Sequence, residues 1–196
     1  MDPQSQNAPG AGSSLYVHVP FCVVKCGYCD FTSYVVEDQS VHDLFLRALD
    51  RELESTTLPQ RPTTVFVGGG TPSHLAPHRL RELFATLARH VDLRAASEVT
   101  MEANPESIDE EKASIALEGG VTRFSMGVQS FDPARLKFLD RAHTGDRAKD
   151  AFLQLATPQD DEQQAGRKWI QRSAVSDFFD SQTASHQGDD IVRGHP

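Results

Sequence analysis

Between Leu15 and Leu139 the chain alternates, four times over, between a short β-branched or aromatic run and a longer segment of helical period. The short runs are Leu15–Val19, Thr64–Val67, Val99–Glu102 and Val121–Gly127. Ser40–Glu54 carries Leu44, Leu46, Leu49 and Leu53 at helical spacing, and Pro77–His90 sets Leu80, Leu83, Phe84 and Leu87 on one face. Asp109 caps a third helix that runs to Leu117 and is closed by Gly119-Gly120; Pro133–Leu139 is the fourth. No two short runs are joined by a tight turn, which supports parallel pairing through helical crossovers rather than hairpins. Such crossovers are right-handed, and the result is an α/β fold. Ligands of these folds lie where the loops leave the carboxyl ends of the strands, and each distinctive motif of this chain sits on one of those loops.

The 196 residues accommodate one domain of about 150 residues and a tail. Residues 1–14 are polar and rich in Pro, Gly and Ser, and read as a disordered leader. They lack the Lys and Arg that a signal or transit peptide needs. Residues 15–156 form the core domain. Residues 157–196, rich in Gln, Asp, Ser and Thr with one apolar spot at Phe178-Phe179, read as a polar, disordered tail. No apolar run approaches the ~18 residues of a membrane span. The formal charge of -9 argues against nucleic acid as a partner, because phosphate attraction needs clustered Lys and Arg. All three cysteines fall between Cys22 and Cys29, which is no disulfide framework and points to reduced thiols in the cytoplasm.

Cys22, Cys26 and Cys29 are spaced C-x3-C-x2-C on the loop after the first strand. Thiolates are soft ligands for zinc, Cu(I) or iron–sulfur clusters. Zinc takes four ligands and has only His18 nearby as a fourth. An iron–sulfur cube on three cysteines leaves one iron open to a substrate or cofactor. Unligated, reactive thiols are the third reading. The run Gly68-Gly69-Gly70-Thr71-Pro72 after the second strand matches neither the P-loop nor the dinucleotide fingerprint. Its consecutive glycines nevertheless let backbone approach a ligand closely. The eight histidines show no ligand spacing: His74 and His78 flank Pro77, and His18 reads as a satisfied strand histidine.

Five stretches occur together in one order: LYVHVPFCVVKCGYC from Leu15, GGGTP from Gly68, MEANPESI from Met101, MGVQSFD from Met126 and RAHTG from Arg141. In this the chain resembles the radical S-adenosylmethionine superfamily, and within it the HemN/HemW group, over roughly residues 15–150. The resemblance implies a (β/α) barrel, here partial with about four βα units. It implies that Cys22, Cys26 and Cys29 ligate a [4Fe–4S] cluster whose open iron binds S-adenosylmethionine. One electron then cleaves the sulfonium to methionine and a 5′-deoxyadenosyl radical. It also implies cofactor contacts at Tyr16, Tyr28, Gly69, Gly70, Thr71, Glu102, Gln129 and Arg141.

Two departures bear on function. The oxygen-independent coproporphyrinogen III oxidases of this group carry a further cysteine two residues after the third, where this chain has Phe31. In that respect it resembles the HemW-type heme chaperones. The expected ligands are therefore the cluster, S-adenosylmethionine and, further, heme or a porphyrin. The expected protein partners are an electron donor and a heme acceptor. The oxidase of porphyrin biosynthesis is the alternative, with catalytic residues unassigned. The family barrel also has about six units and a C-terminal domain, including an acidic cofactor contact on a later strand. The chain thus reads as C-terminally truncated, and an inactive fragment is the third reading.

Overall fold

The computed structural model describes residues 13–156; most of the expected leader and all of the expected tail lie outside the described residues. The elements in chain order are β1 (Ser14–Val19), β2 (Phe21–Cys22), β3 (Tyr34–Val35), α1 (Ser40–Ser55), β4 (Thr64–Gly69) and α2 (Pro77–His90). They continue with β5 (Glu98–Ala103), α3 (Glu110–Glu118), β6 (Arg123–Met126), α4 (Pro133–Phe138) and α5 (Gly145–Ala156). The main sheet is four-stranded and parallel, in the order β1-β4-β5-β6. Because each strand lies beside its predecessor, right-handed crossovers place every helix on the same face. That is the winding of a (β/α) barrel.

Alternation along the strands gives the sheet two different faces. Val17, Val67, Met101 and Phe124 stand in register as one row, and this row is buried. With Val19, Val65 and Val99 it packs against Leu46, Leu49, Leu80, Leu83, Leu87, Ile115 and Ala116 of the helices. The opposite row, Tyr16, Phe66, Thr100 and Arg123, carries aromatic and polar side chains. A parallel sheet is normally covered on both faces. Here helices cover one, and Tyr16 on the other is 54% exposed.

The helices follow their side-chain patterns. α2 starts on Pro77, whose missing N–H costs nothing in a first turn, and buries Leu80, Leu83, Phe84 and Leu87. Asp109 caps α3 by accepting from the Lys112 backbone N–H at 2.9 Å, and Gly120 turns the chain at φ +105. In α1 the buried side is His42, Leu46, Leu49 and Leu53, while Leu44 points outward and is 59% exposed. The fourth strand is shorter than its apolar run, spanning Arg123–Met126 rather than 121–127: the Val121 N–H is spent on the Ala116 carbonyl in the turn out of α3, and Thr122 bonds to Val99 just ahead of the strand.

Two features have no counterpart in the pattern read from the sequence. One is α5, where Thr144 Oγ1 accepts from the Arg147 backbone N–H and Ala148, Ala151 and Leu155 are buried. The other is the pairing of β2 with β3, two residues each, which closes the cysteine loop at its base.

Candidate functional site

The carboxyl ends of β1, β4, β5 and β6 open onto a cavity of about 240 Å³. Cys22, Cys26 and Cys29 line it, together with Tyr28, Gly69, Gly70, Thr71, Glu102, Gln129 and Arg141. Of the residues singled out from the sequence, Tyr16 is the exception. It stands on the open face of β1, stacked on Phe66 at a 6.0 Å ring separation and hydrogen-bonded to His18 Nδ1 at 2.9 Å. Burial, and then the charge of Glu102, hold its phenol above the ordinary range.

The thiols are unpaired, with Cys26 buried and Cys22 and Cys29 partly exposed. Their loop is tied down from several directions. The Cys29 N–H donates to the Cys26 carbonyl at 3.0 Å, and His18 Nε2 lies 2.7 Å from the Thr32 carbonyl. His18 thus has a partner on each ring nitrogen, as a satisfied strand histidine should. Lys25 Nζ reaches across the loop to the Phe31 carbonyl and to Ser33 Oγ. The Phe31 ring is left 59% exposed at the cavity rim.

Glycines bring the second loop against the first. Gly69 has φ +107, a conformation that L side chains rarely adopt. Gly70 N–H donates to the Val19 carbonyl at 2.8 Å and Thr71 N–H to the Phe21 carbonyl at 2.7 Å. A Cβ on Gly70 would stand 2.7 Å from the Phe21 carbonyl oxygen. The strand that delivers Cys22 and the loop that carries Thr71 are therefore packed backbone to backbone.

Polar side chains form the remaining wall. Glu102 Oε2 accepts from Gly69 N–H at 2.8 Å. Arg141 Nη1 donates to Cys26 Sγ at 3.2 Å, and its Nη2 donates to Asn104 Oδ1 at 2.8 Å and the Gly127 carbonyl at 2.6 Å. Thr71 Oγ1 lies 3.6 Å from Cys22 Sγ as a donor. Burial pushes the Tyr28 phenol up, the neighbouring Arg141 notwithstanding. Gln129 has φ +63, a strained backbone held between the 128–130 turn and the His143 ring, whose Nε2 contacts the Val128 carbonyl at 3.0 Å.

Asn104 in the site, and the His42–His74 pair behind it, carry no sequence signal of their own. Asn104 belongs to the MEANPESI stretch but was readable only as a turn residue. Buried His42 lies with its ring 5.7 Å from that of His74, and neither of its nitrogens has a partner among the described residues. Their contact joins α1 to the turn after the glycines, a proximity that only the tertiary fold creates.

The donors suit a metal–sulfur group. Three thiols and two hydrogen-bond donors to sulfur face one cavity, the surroundings that iron–sulfur clusters draw on. Among the described residues, no three His, Cys, Asp or Glu side chains gather around a single point as a lone ion requires. Arg141 Nε is buried with no acceptor among the described residues, which leaves a donor for an anionic ligand.

Comparison with known proteins gives a consistent result. The sequence profile of the Radical SAM superfamily matches residues 16–156. The chain is 38% identical over 141 residues to the heme chaperone HemW of Escherichia coli strain K12, covering 70% of this chain and 37% of that protein. It is 43% identical over 145 residues to HemW of Mycobacterium tuberculosis strain H37Rv, with 71% and 37% covered. The mitochondrial Radical S-adenosyl methionine domain-containing protein 1 of Mus musculus is 39% identical over 157 residues, with 79% and 35% covered. Among solved structures, coproporphyrinogen III oxidase (HemN) from Escherichia coli, a Radical SAM enzyme, superposes with a TM-score of 0.66 at 25% identity. That match covers 76% of this chain and 36% of HemN. The chain spans a little over a third of the length of these relatives.

Proposed function

The chain belongs to the radical SAM superfamily, and from that premise we propose that Cys22, Cys26 and Cys29 hold a [4Fe–4S] cluster beside a site for S-adenosylmethionine. The observation that carries this reading is the gathering of all three thiols with Gly69, Gly70 and Thr71 around one cavity at the strand ends. When bound, the cluster supplies the electron that cleaves the sulfonium of S-adenosylmethionine. The chain's own residues position and shield. Thr71 donates to the sulfur of Cys22 and Arg141 to that of Cys26. Gly69 and Gly70 let the amino-acid end of the cofactor lie against backbone, with Glu102 beside them to receive an ammonium. Gln129 and the free Nε of Arg141 supply further polar contacts, and Tyr28 and Tyr16 flank the cavity and the open sheet face.

Within the family we assign the chain to the HemW-like heme chaperones. Its further ligand is heme, and its partners are an electron donor and a heme-acceptor protein. Support comes from the HemW relatives and from Phe31, an exposed aromatic where the resemblance to oxidases calls for a cysteine. Reduced thiols favour a cytoplasmic location; no helix among the described residues is long and apolar enough to cross a membrane.

The test is anaerobic reconstitution with iron and sulfide, followed by equilibrium dialysis against S-adenosylmethionine and titration with heme. S-Adenosylmethionine retained at one per chain and a distinct Soret shift are expected. Conversion of coproporphyrinogen III with no Soret shift overturns the chaperone assignment in favour of the oxidase. Retention of neither ligand by reconstituted protein overturns the proposal for this chain.

A further inference from the structure

We propose that Asn104 is a positioning residue that aims the hydrogen-bond donors at two of the three cysteine sulfurs. The inference rests on the cluster reading above.

Asn104 follows the last residue of β5 and is anchored through its backbone. Its N–H donates to Ser73 Oγ at 3.1 Å, and its carbonyl accepts from the Ser107 and Ile108 N–H groups at 3.0 and 3.1 Å. Ser73 and Ser107 join through their hydroxyls at 2.7 Å, and Lys112 Nζ donates to both of their carbonyls at 2.8 Å. The asparagine is thus fixed before its side chain reaches the cavity.

Both ends of that side chain are then spoken for. Arg141 Nη2 has protons and no lone pair to offer, so the amide must present Oδ1 to it, at 2.8 Å. This settles the amide orientation, and Nδ2 necessarily faces Thr71 Oγ1, at 2.9 Å. Nδ2 can only donate, so it occupies a lone pair of the Thr71 oxygen. The one hydroxyl proton of Thr71 must point elsewhere, and Cys22 Sγ lies 3.6 Å away. On the other side, Oδ1 and the Gly127 carbonyl together hold Nη2 of the guanidinium, whose Nη1 reaches Cys26 Sγ at 3.2 Å. A single amide therefore bonds to both donor groups, the Thr71 hydroxyl aimed at Cys22 and the Arg141 guanidinium aimed at Cys26. Hydrogen bonds to cluster sulfur favour the reduced, more negative state and raise the potential.

The experiment measures cluster midpoint potential in reconstituted wild type, Asn104→Ala, Asn104→Asp and Thr71→Val, and in Thr71→Val combined with each Asn104 variant. Asn104→Asp keeps the shape and the acceptor for Arg141 but has no N–H for Thr71, so it reports if the alanine variant does not fold. In the Asn104→Ala protein that carries a cluster, the reduction equilibrium is expected to shift about tenfold toward the oxidised state, about 59 mV for a one-electron couple. Thr71→Val is expected to lower the potential in wild type and to add little in either Asn104 background, because the hydroxyl is no longer aimed. An unchanged potential in Asn104→Ala, or a full Thr71→Val shift in both Asn104 backgrounds, overturns the inference while leaving the cluster reading intact. Wild type that takes up no iron and sulfide overturns both.

Discussion

Replacing Gly70 by alanine tests how tightly the two site loops are joined. The added Cβ falls 2.7 Å from the Phe21 carbonyl oxygen and 2.8 Å from both the Phe21 nitrogen and the Val19 carbonyl oxygen. All three are backbone atoms, so no side-chain rotation relieves the contact, and the loops must part. Overpacking of this kind costs about 1–3 kcal/mol. Parting also weakens two hydrogen bonds, from Gly70 to Val19 and from Thr71 to Phe21, worth about 1 kcal/mol each. The sum is a loss of about 3–5 kcal/mol, or roughly 10–15 °C in Tm for a domain of this size. Urea unfolding of the apo protein followed by circular dichroism measures it. Reconstitution of the same variant is expected to load less iron, because Thr71 and Cys22 are pulled apart. A Gly70→Ala protein within about 0.5 kcal/mol of wild type refutes the close packing on which the site is built.

Fully buried Leu80 on α2 and exposed Leu44 on α1 are expected to differ: Leu80→Ala costs about 2–5 kcal/mol, Leu44→Ala stays within about 0.5 kcal/mol, and equal costs in urea melts contradict the helix assignment. The His42 imidazole is held below its ordinary value of 6.5 by burial first, then by His74 and Arg79; the His74 imidazole is lowered by burial and Lys112. The unfolded chain therefore binds protons on both rings at higher pH than the folded one does, so stability falls as pH drops through about 6.5. His42→Leu is expected to flatten that loss between about pH 6.5 and 5, above the range where carboxylates titrate; a pH slope equal to wild type refutes the buried, neutral assignment.

The sheet and its helices were legible because their cause is local. The short β-branched and aromatic runs of β1, β4 and β5 and the 3.6-residue period of α2 survive folding almost residue for residue. α5 was legible in principle. Thr144 capping Arg147 N–H, followed by Ala148, Ala151 and Leu155, is a helix-start signal, but small alanines make a faint apolar stripe. Leu44 illustrates the converse, since a leucine in a helical segment says nothing of its face until the neighbours at i+2 and i+5 are assigned to the core. At the site, the cysteines and glycines carry their chemistry in residue type and spacing. Asn104, Lys25 and His42 do not. Their partners, Arg141 and Thr71 for Asn104, Phe31 and Ser33 for Lys25 and His74 for His42, are met only once the chain has folded.

The central claim is that the three cysteines are ligands of one cluster. Its most direct measurement is the iron and acid-labile sulfide content of the anaerobically reconstituted chain, beside Cys22→Ser, Cys26→Ser and Cys29→Ser variants. About four irons and four sulfides per chain are predicted, with a charge-transfer shoulder near ~400 nm, falling sharply in each serine variant. One stoichiometric zinc without sulfide, or full iron and sulfide in the serine variants, contradicts it.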